Sequence, residues 1–329
     1  MDIKKLFREY AKLSSAHFIS LTATIPVTGA IAMGEKNLFL LTVIFFIGLA
    51  AHIFGFAFNH YNDIEVDCLV DQINKRPLPS GSISKKHALI YISLIFLSGF
   101  VFTLYFFGIK LLALYLIGII LASLYDRYSK KISGMDFILA ASVTTGVVFG
   151  AATVSFEFTN LVLLLFILAF IQTLNLNLIA GGIKDADHDF MINSKHIATR
   201  LGLKVKNGIF IVPKTFKFLA YLFGIVYAFF IISFVIFKLI MISLPLFITL
   251  IFLNILFLYI TYKMIHLKGF DRQEVRKYVI IQYTINWLNI PVLLMSIAPW
   301  AGLLVFYPLI GLVLSNIIIH QTIFRPQVL

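Results

Sequence analysis

Apolar stretches long enough to cross a bilayer recur along the whole chain, and they constrain its fold more than any other feature. A membrane-spanning helix needs about 20 mainly apolar residues, and such stretches occur at 38–58, 88–107 and 219–237. Of the 329 residues, 60% are hydrophobic and 13% are charged, which is far less charge than a soluble domain carries. The sequence therefore predicts an all-α, polytopic bundle of transmembrane helices.

Hydropathy over a window of about 19 residues predicts ten spans. They are 12–33, 38–60, 88–107, 109–125, 135–156, 159–181, 215–237, 239–262, 278–298 and 300–319. Because no linker-like tract or clear repeat divides the chain, we expect a single membrane domain over residues 1–329. Two long polar links, at about 59–87 and 182–214, interrupt the bundle.

Lysine and arginine alternate sharply between the links on the two sides of the predicted membrane. Of the 27 basic residues, all except Lys36, Lys110 and Lys238 fall in the termini or on the same side as the termini. The positive-inside rule makes that side the cytoplasm, so both termini and both polar links are predicted to be cytoplasmic. The net charge of +12 therefore reflects membrane topology, and nucleic acid is not an expected partner.

Seven of the 15 acidic residues lie in two short segments on this predicted cytoplasmic side. The first segment places Asp63, Asp67 and Asp71 at every fourth position, and the second contains Asp185, Asp187 and Asp189. Residues at i and i+4 share one face of a helix, where like charges repel, so each cluster requires a positive partner. A network of salt bridges would meet that need, and so would a bound cation that both clusters share.

Carboxylate oxygens without cysteine ligands favour magnesium over zinc or copper. Magnesium is commonly held by one or two carboxylates together with the phosphates of a substrate, so a diphosphate is the natural group to bridge the clusters. Several basic residues near the clusters are candidate phosphate contacts, although their positions also fit a purely topological role: Lys75, Arg76, Lys130, Lys131, Lys184 and Lys195.

These residues resemble the UbiA-type intramembrane prenyltransferases. The first motif of that family, N-x-x-x-D-x-x-x-D, is matched by Asn59, Asp63 and Asp67, and its R-P-L-P-S-G sequence follows in full at 76–81. The second motif, D-x-x-x-D, is similar to Asp185 and Asp189. The resemblance extends over roughly residues 10–240.

The resemblance implies a helical bundle, usually of nine spans, around a central cavity open sideways to lipid. It implies a magnesium-dependent prenyltransferase that takes the prenyl group from an isoprenoid diphosphate. The expected metal ligands, which include the catalytic aspartates, are Asn59, Asp63, Asp67, Asp185 and Asp189. The expected diphosphate-binding residues are Arg76, Lys130, Lys195 and Tyr125, with Asp71, Asp187, Lys75 and Lys184 as possible additional site residues.

Two features depart from the family pattern. The prediction of ten spans exceeds the usual nine, and Asn193 stands where many members have glycine. Neither departure touches the two aspartate motifs.

Two other functions use clustered carboxylates in membranes. A CDP-alcohol phosphatidyltransferase needs an Asp-Gly pair leading its aspartate motif, and neither cluster here has one. A divalent-cation transporter would place acids near the middle of its spans, whereas these acids lie at span ends and in links.

The sequence leaves the acceptor open. An aromatic acid or quinone precursor, a glycerol-phosphate lipid ether, haem or a chlorophyll-type alcohol would each suit the same donor site. The basic residues of the second polar link slightly favour an anionic acceptor, but membrane topology explains them equally well.

Overall fold

A computed structural model of the chain describes residues 3–68, 74–206 and 208–322, and helices make up most of that part. The α-helices are α1 (Ile3–Leu13), α2 (Ile19–Thr22), α3 (Ile25–Ala32), α4 (Leu38–Asn62), α5 (Ile64–Asp67), α6 (Lys85–Tyr128), α7 (Met135–Ala152), α8 (Asn160–Leu174), α9 (Gly182–Lys184), α10 (Ala186–Met191), α11 (Ile197–Arg200), α12 (Lys214–Ile236), α13 (Leu244–Ile265), α14 (Arg272–Leu294) and α15 (Tyr307–His320). Ala16–Phe18 and Pro299–Phe306 form 3₁₀-helices, and Asn175–Gly181 forms a π-helix.

Seven helical segments of the described chain are long and apolar enough to cross a membrane, as expected of a multi-pass membrane protein. A bent pair at the N-terminus raises the number to eight if it counts as one span. The predicted number of nine to ten spans is therefore not confirmed. One reason is α14, where Gln282, Asn286 and Asn289 lower the hydropathy of the predicted span 278–298.

The other reason is α6, whose 44 residues include two predicted spans. A straight helix of that length would measure about 66 Å, roughly twice the hydrocarbon core of a bilayer. However, Gly108 has a non-helical backbone with φ 74°, and Gly99 packs directly against the hydroxyl of Tyr115. In a straight helix these two residues would lie about 24 Å apart, so the chain turns back at Gly108 and forms two arms.

The N-terminal span is broken rather than straight. Helix α1 and the segment Ala16–Ala32 meet at an angle of 63°, and Ser15 at the break has a left-handed backbone with φ 46°. His52 of α4 fixes this break, since its ring contacts the hydroxyl of Thr22 and, at 2.9 Å, the carbonyl of Ser14. His52 is thus a hydrogen-bonded structural residue.

Small residues allow helices α3 and α7 to pack closely. A side chain at Gly150 would place its Cβ 1.6 Å from the carbonyl oxygen of Pro26, and one at Gly29 would come within 2.2 Å of the carbonyl of Val147. Close backbone approach through small residues is the usual way in which helices associate inside a membrane.

The second polar link contains the short helices α9 to α11 and an antiparallel hairpin of β1 (Lys204–Lys206) and β2 (Ile209–Ile211). The all-α prediction did not include this hairpin. Phe210 of β2 is buried with Leu203 and with Phe216 of α12. The link is therefore a packed substructure that holds the second aspartate motif against the bundle.

Candidate active site

The first aspartate motif begins in the last turn of α4 and ends in α5. The amide of Asp63 donates to the carbonyl of Asn59 at 3.0 Å, and the amide of Asp67 donates to the carbonyl of Asp63 at 2.8 Å. These i to i−4 bonds continue the helical path beyond the end of α4, which keeps the three side chains one turn apart on one side of the chain.

A compact turn brings Arg76 to this motif. The amide of Ser80 donates to the carbonyl of Arg76, Leu78 is buried, and Gly81 has φ 73°, a backbone conformation that glycine adopts without strain. The guanidinium nitrogen Nη1 of Arg76 lies 3.0 Å from Oδ2 of Asp67. The turn thus fixes a cation against the last carboxylate of the motif.

His60 completes this corner of the site. Its Nε2 lies 3.2 Å from the hydroxyl of Ser15, and its Nδ1 lies 3.5 Å from Nη1 of Arg76 and 4.0 Å from Oδ2 of Asp67. The broken N-terminal span is thereby linked to the motif.

The second motif is built in the same way as the first. The amide of Asp185 donates to the carbonyl of Gly181, and the amide of Asp189 donates to the carbonyl of Asp185, both at 3.0 Å. The π-helix Asn175–Gly181 leads into this motif, and short π-helical segments within α-helices are frequent at functional sites.

Asp187 points to a different partner from its two neighbours. It forms an ion pair with Arg272 at the start of α14, and Nη2 of Arg272 also lies 3.3 Å from Nδ1 of His188. His188 Nε2 in turn lies 3.7 Å from Oδ1 of Asp189. Asp187 therefore ties the second motif to α14.

Lys130 joins the two motifs. Its ammonium nitrogen lies 3.0 Å from Oδ1 of Asp63, and its positive charge also favours the ionised forms of Asp185 and Asp189. Its carbonyl accepts a hydrogen bond of 3.0 Å from the amide of Lys195. The two acidic segments, more than 100 residues apart in the chain, thus meet around one lysine.

Burial and charge act differently on the aspartates. Burial raises the pKa of Asp63 above its ordinary value despite the nearby charge of Lys130. Burial and the charge of Asp185 raise the pKa of Asp189. Burial also acts to raise the pKa of Asp185, but four neighbours lower it to about 2, namely Lys184, His188, Arg272 and Lys130. The second motif therefore contains one strongly ionised carboxylate, that of Asp185, and one more basic carboxylate, that of Asp189.

Tyr125 takes part in a polar network between three helices. The amide group of Asn177 contacts the hydroxyl of Tyr125 at 2.8 Å and donates to Oδ1 of Asp136 at 2.7 Å. Oδ1 of Asp136 also lies 2.9 Å from Nε2 of His196. The network fixes the end of α6, the start of α7 and the second polar link relative to one another.

The remaining predicted site residues have fewer contacts. Lys184 lies 3.5 Å from Asp185. Lys75 and Lys195 are exposed, and neither side chain forms a salt bridge with the described residues. Asp71 lies outside the described residues.

Five residues that the sequence analysis did not single out also belong to this region: His60, Asp126, Asp136, Arg272 and Arg276. Asp126 is buried and its Oδ1 accepts from Asn59 at 3.3 Å. A buried acid at the end of a span is a signal that sequence reasoning could have used. The two arginines carried no such signal, because the positive-inside rule already accounted for them.

Among the described residues, no three acidic, histidine or cysteine side chains are arranged to hold a metal ion by themselves. Magnesium does not require such a cage, since it is usually bound through one or two carboxylates, several waters and phosphate oxygens. The donor set suits it, because both motifs offer only hard oxygen ligands. Asp126 adds a buried oxygen, Oδ2, that has no hydrogen-bond partner in the described part of the chain.

The family model described as the UbiA prenyltransferase family matches residues 20–290 of this chain. Over 161 residues the chain is 33% identical to digeranylgeranylglyceryl phosphate synthase of Methanococcus aeolicus, covering 48% of this chain and 53% of that protein. Over 86 residues it is 36% identical to 4-hydroxybenzoate octaprenyltransferase of a Marinomonas species, covering 26% of this chain and 30% of that protein. The chain thus spans about half, or less, of the length of these relatives.

A solved structure extends the likeness to nearly the whole fold. The structure of a UbiA homolog from Archaeoglobus fulgidus bound to DMAPP and Mg²⁺ superposes with a TM-score of 0.64. The match covers 92% of this chain and 99% of that one, at 15% sequence identity. At this identity the likeness concerns the fold alone.

Proposed function

The chain belongs to the UbiA prenyltransferase family, and we propose that it transfers a prenyl group from an isoprenoid diphosphate to an acceptor within the membrane. The observation that carries the proposal is the position of Lys130, 3.0 Å from Asp63 of the first motif and electrostatically coupled to Asp185 and Asp189 of the second. A diphosphate with its magnesium ions is the group that two converging carboxylate clusters and several cations suit best.

In the proposed reaction the bond between C1 of the prenyl group and its diphosphate oxygen breaks, and the electron pair stays on the diphosphate. The acceptor's nucleophilic atom then bonds to C1 and releases a proton. Arg76 and Lys130 favour the first step, since cations fixed before the reaction stabilise the negative charge that grows on the leaving group.

Magnesium, when bound, supplies further positive charge to the leaving diphosphate. The residues that would hold it are Asn59, Asp63, Asp67, Asp185 and Asp189. Arg76 and Lys130 now neutralise Asp67 and Asp63. Both have long side chains that can reach phosphate oxygens by rotation about their own bonds.

Aromatic rings next to the first motif suit an allylic cation. Phe56 lies one turn before Asn59 on α4, and its ring stacks on that of Phe18 with centroids 5.9 Å apart. Phe18 in turn packs against Tyr283 of α14 at 5.7 Å. Aromatic faces attract cations, and the proposed role of these rings is to keep water from the allylic cation.

The acceptor is proposed to be of the aromatic or the glycerol-phosphate type. Both classes occur in the names of the relatives, one a digeranylgeranylglyceryl phosphate synthase and the other a 4-hydroxybenzoate octaprenyltransferase. The site is proposed to open towards the cytoplasm, where the positive-inside rule places both motif links and both termini.

The test is magnesium-dependent turnover of a radiolabelled prenyl diphosphate by the purified protein, with a panel of aromatic and glycerol-phosphate acceptors. Transfer to one acceptor class that is lost in both Asp63→Ala and Asp185→Ala supports the proposal and identifies the acceptor. The absence of transfer with every donor and acceptor, in protein that remains folded, would contradict it.

A further inference from the structure

Helix α14, which belongs to neither motif, places two arginines near the second motif. Arg272 and Arg276 lie one turn apart, so they share a face of the helix, and Arg272 is paired with Asp187. Arg276 is only 6% exposed. It forms no salt bridge within the part of the chain that the structure describes, and its Nε is buried without a hydrogen-bond partner.

The surroundings of Arg276 are those of the proposed diphosphate site. The charges that act on it belong to Arg272 and Arg76 and to Asp185 and Asp187. Arg76 is the cation of the first motif, so Arg276 lies within electrostatic reach of both motifs. A buried guanidinium without a partner is costly, and phosphate oxygens are the acceptors that its planar group fits best.

We propose that Arg276 binds the diphosphate of the donor, as a third cation beside Arg76 and Lys130. This inference rests on the proposed function. It adds a contact from α14, so that the C-terminal part of the bundle takes part in binding the donor. The neighbouring Lys277 is exposed and provides a matched control with the same charge.

The experiment measures inhibition by inorganic pyrophosphate and the KM values of donor and acceptor, with magnesium present. Arg276→Gln is expected to weaken pyrophosphate inhibition and raise the donor KM by about tenfold or more, the usual loss for a hydrogen bond to a charged group. Arg276→Lys should lose less, and Lys277→Gln should match the unsubstituted protein. Thermal unfolding of each variant checks that it remains folded.

An unchanged pyrophosphate constant in folded Arg276→Gln would overturn the inference, as would an effect on the acceptor KM alone. Failure of the proposed function gives a different result. In that case the unsubstituted protein itself would neither turn over the donor nor be stabilised by pyrophosphate with magnesium.

A second, independent feature is the amphipathic helix α1. Its apolar residues Ile3 and Phe7 lie one turn apart on one face of the helix, and they are 81% and 63% exposed. Lys4, Lys5 and Arg8 lie on another face of the helix. Exposed apolar side chains beside a basic stripe are typical of helices that lie in the surface of an anionic bilayer.

The fold gives α1 the orientation that this role requires. The bend of 63° after α1 turns the helix away from the direction of the next segment, so α1 can lie along the bilayer surface while that segment enters it. A groove of about 390 Å³ separates α1 from the end of α15, with Ile3 and Phe7 on one wall and Ile317 and Ile318 on the other. Lys4 and Arg8 lie at the same groove.

We infer that α1 docks on anionic phospholipid, with the headgroup phosphate at Lys4, Lys5 and Arg8 and acyl carbon against Ile3 and Phe7. Each basic residue near an anionic membrane surface contributes roughly a fivefold change in affinity. The opposite charges of the helix and the headgroups favour this lipid over a neutral one.

The test is thermal stabilisation of the purified protein titrated with phosphatidylglycerol, with phosphatidylcholine and inorganic phosphate as parallel arms. Phosphatidylglycerol alone should stabilise the protein, and Lys4→Gln/Lys5→Gln/Arg8→Gln should shift its half-effect concentration at least tenfold higher. The matched control is Lys85→Gln/Lys86→Gln/Lys214→Gln, three exposed lysines away from α1. Equal responses of the two triple variants would refute the inference, as would equal stabilisation by the neutral lipid or by phosphate.

Discussion

The amide nitrogen of Lys195 donates a hydrogen bond of 3.0 Å to the carbonyl oxygen of Lys130. This bond attaches the loop after α6 to the loop after the second motif. It therefore holds the ammonium group of Lys130 where it can contact Asp63 at 3.0 Å and act on Asp185 and Asp189. Lys195 thus contributes to the site through its main-chain amide, and its side chain is exposed.

Lys130→Met is expected to lower the rate of prenyl transfer by about 100-fold, the usual cost of losing one group that stabilises developing negative charge. The substitution keeps the length of the side chain and removes its charge. Single-turnover kinetics with a labelled donor measure the effect. Arg127→Gln, one turn earlier and exposed, is the control, and an equal loss in both variants would argue against a specific role of Lys130.

Arg76→Gln is expected to reduce kcat/KM for the donor by about 10²- to 10³-fold. It removes a cation from the leaving group and also leaves the carboxylate of buried Asp67 without its partner at 3.0 Å. Steady-state kinetics give the loss, and Lys86→Gln in the same link gives the baseline. A variant with full activity would remove Arg76 from the proposed machinery.

The sequence predicted those parts of the site that depend on local geometry. Asn59, Asp63 and Asp67 share a face because helical hydrogen bonds continue past the end of α4, and spacing alone reveals that periodicity. The contributions of Asp126, Asp136 and Arg276 depend on which helices pack together. No local pattern reports that packing: an acid at the end of a span marks Asp126 as unusual, but the sequence does not show which helices it faces.

The predicted number of nine to ten spans is not confirmed, for equally physical reasons. Hydropathy detects apolar length, but α14 carries three buried polar residues, Gln282, Asn286 and Asn289. Gln282 and Asn289 form hydrogen bonds with Thr261 and Asn254 of α13. The β-hairpin after α11 was missed because its strands have three residues each, too few to show an alternating pattern.

Asn193 is predicted to tolerate glycine better than alanine. Its backbone is left-handed, with φ 50°, which explains why glycine suits this position in the family. Asn193→Ala should lower the free energy of unfolding by about 1 kcal/mol, whereas Asn193→Gly should leave it nearly unchanged. Thermal unfolding in detergent measures both, and equal stabilities would show that backbone strain plays no part here.

His196 should make stability depend on pH. Burial lowers the pKa of His196, but its contact with Asp136, together with the charges of Asp189 and Asp185, raises it above its ordinary value. A raised pKa contributes stability that is complete below about pH 6.5, the unfolded value, and is lost as pH rises through the folded value. The melting temperature should therefore fall over this interval in the unsubstituted protein, and less so in His196→Gln. Parallel pH profiles of the two proteins would contradict the prediction.

Gly150→Val tests the close packing of α3 against α7. A Cβ at Gly150 would lie 1.6 Å from the carbonyl oxygen of Pro26, and because that neighbour is backbone, the two helices must move apart. We expect the free energy of unfolding to fall by about 3 kcal/mol or more. Gly118→Ala is the matched control in a neighbouring helix, since its nearest contact would be an ordinary 3.7 Å and alanine favours helix by about 1 kcal/mol. Thermal unfolding of both variants decides the point, because a stable Gly150→Val protein would mean that α3 and α7 can separate without cost to the bundle.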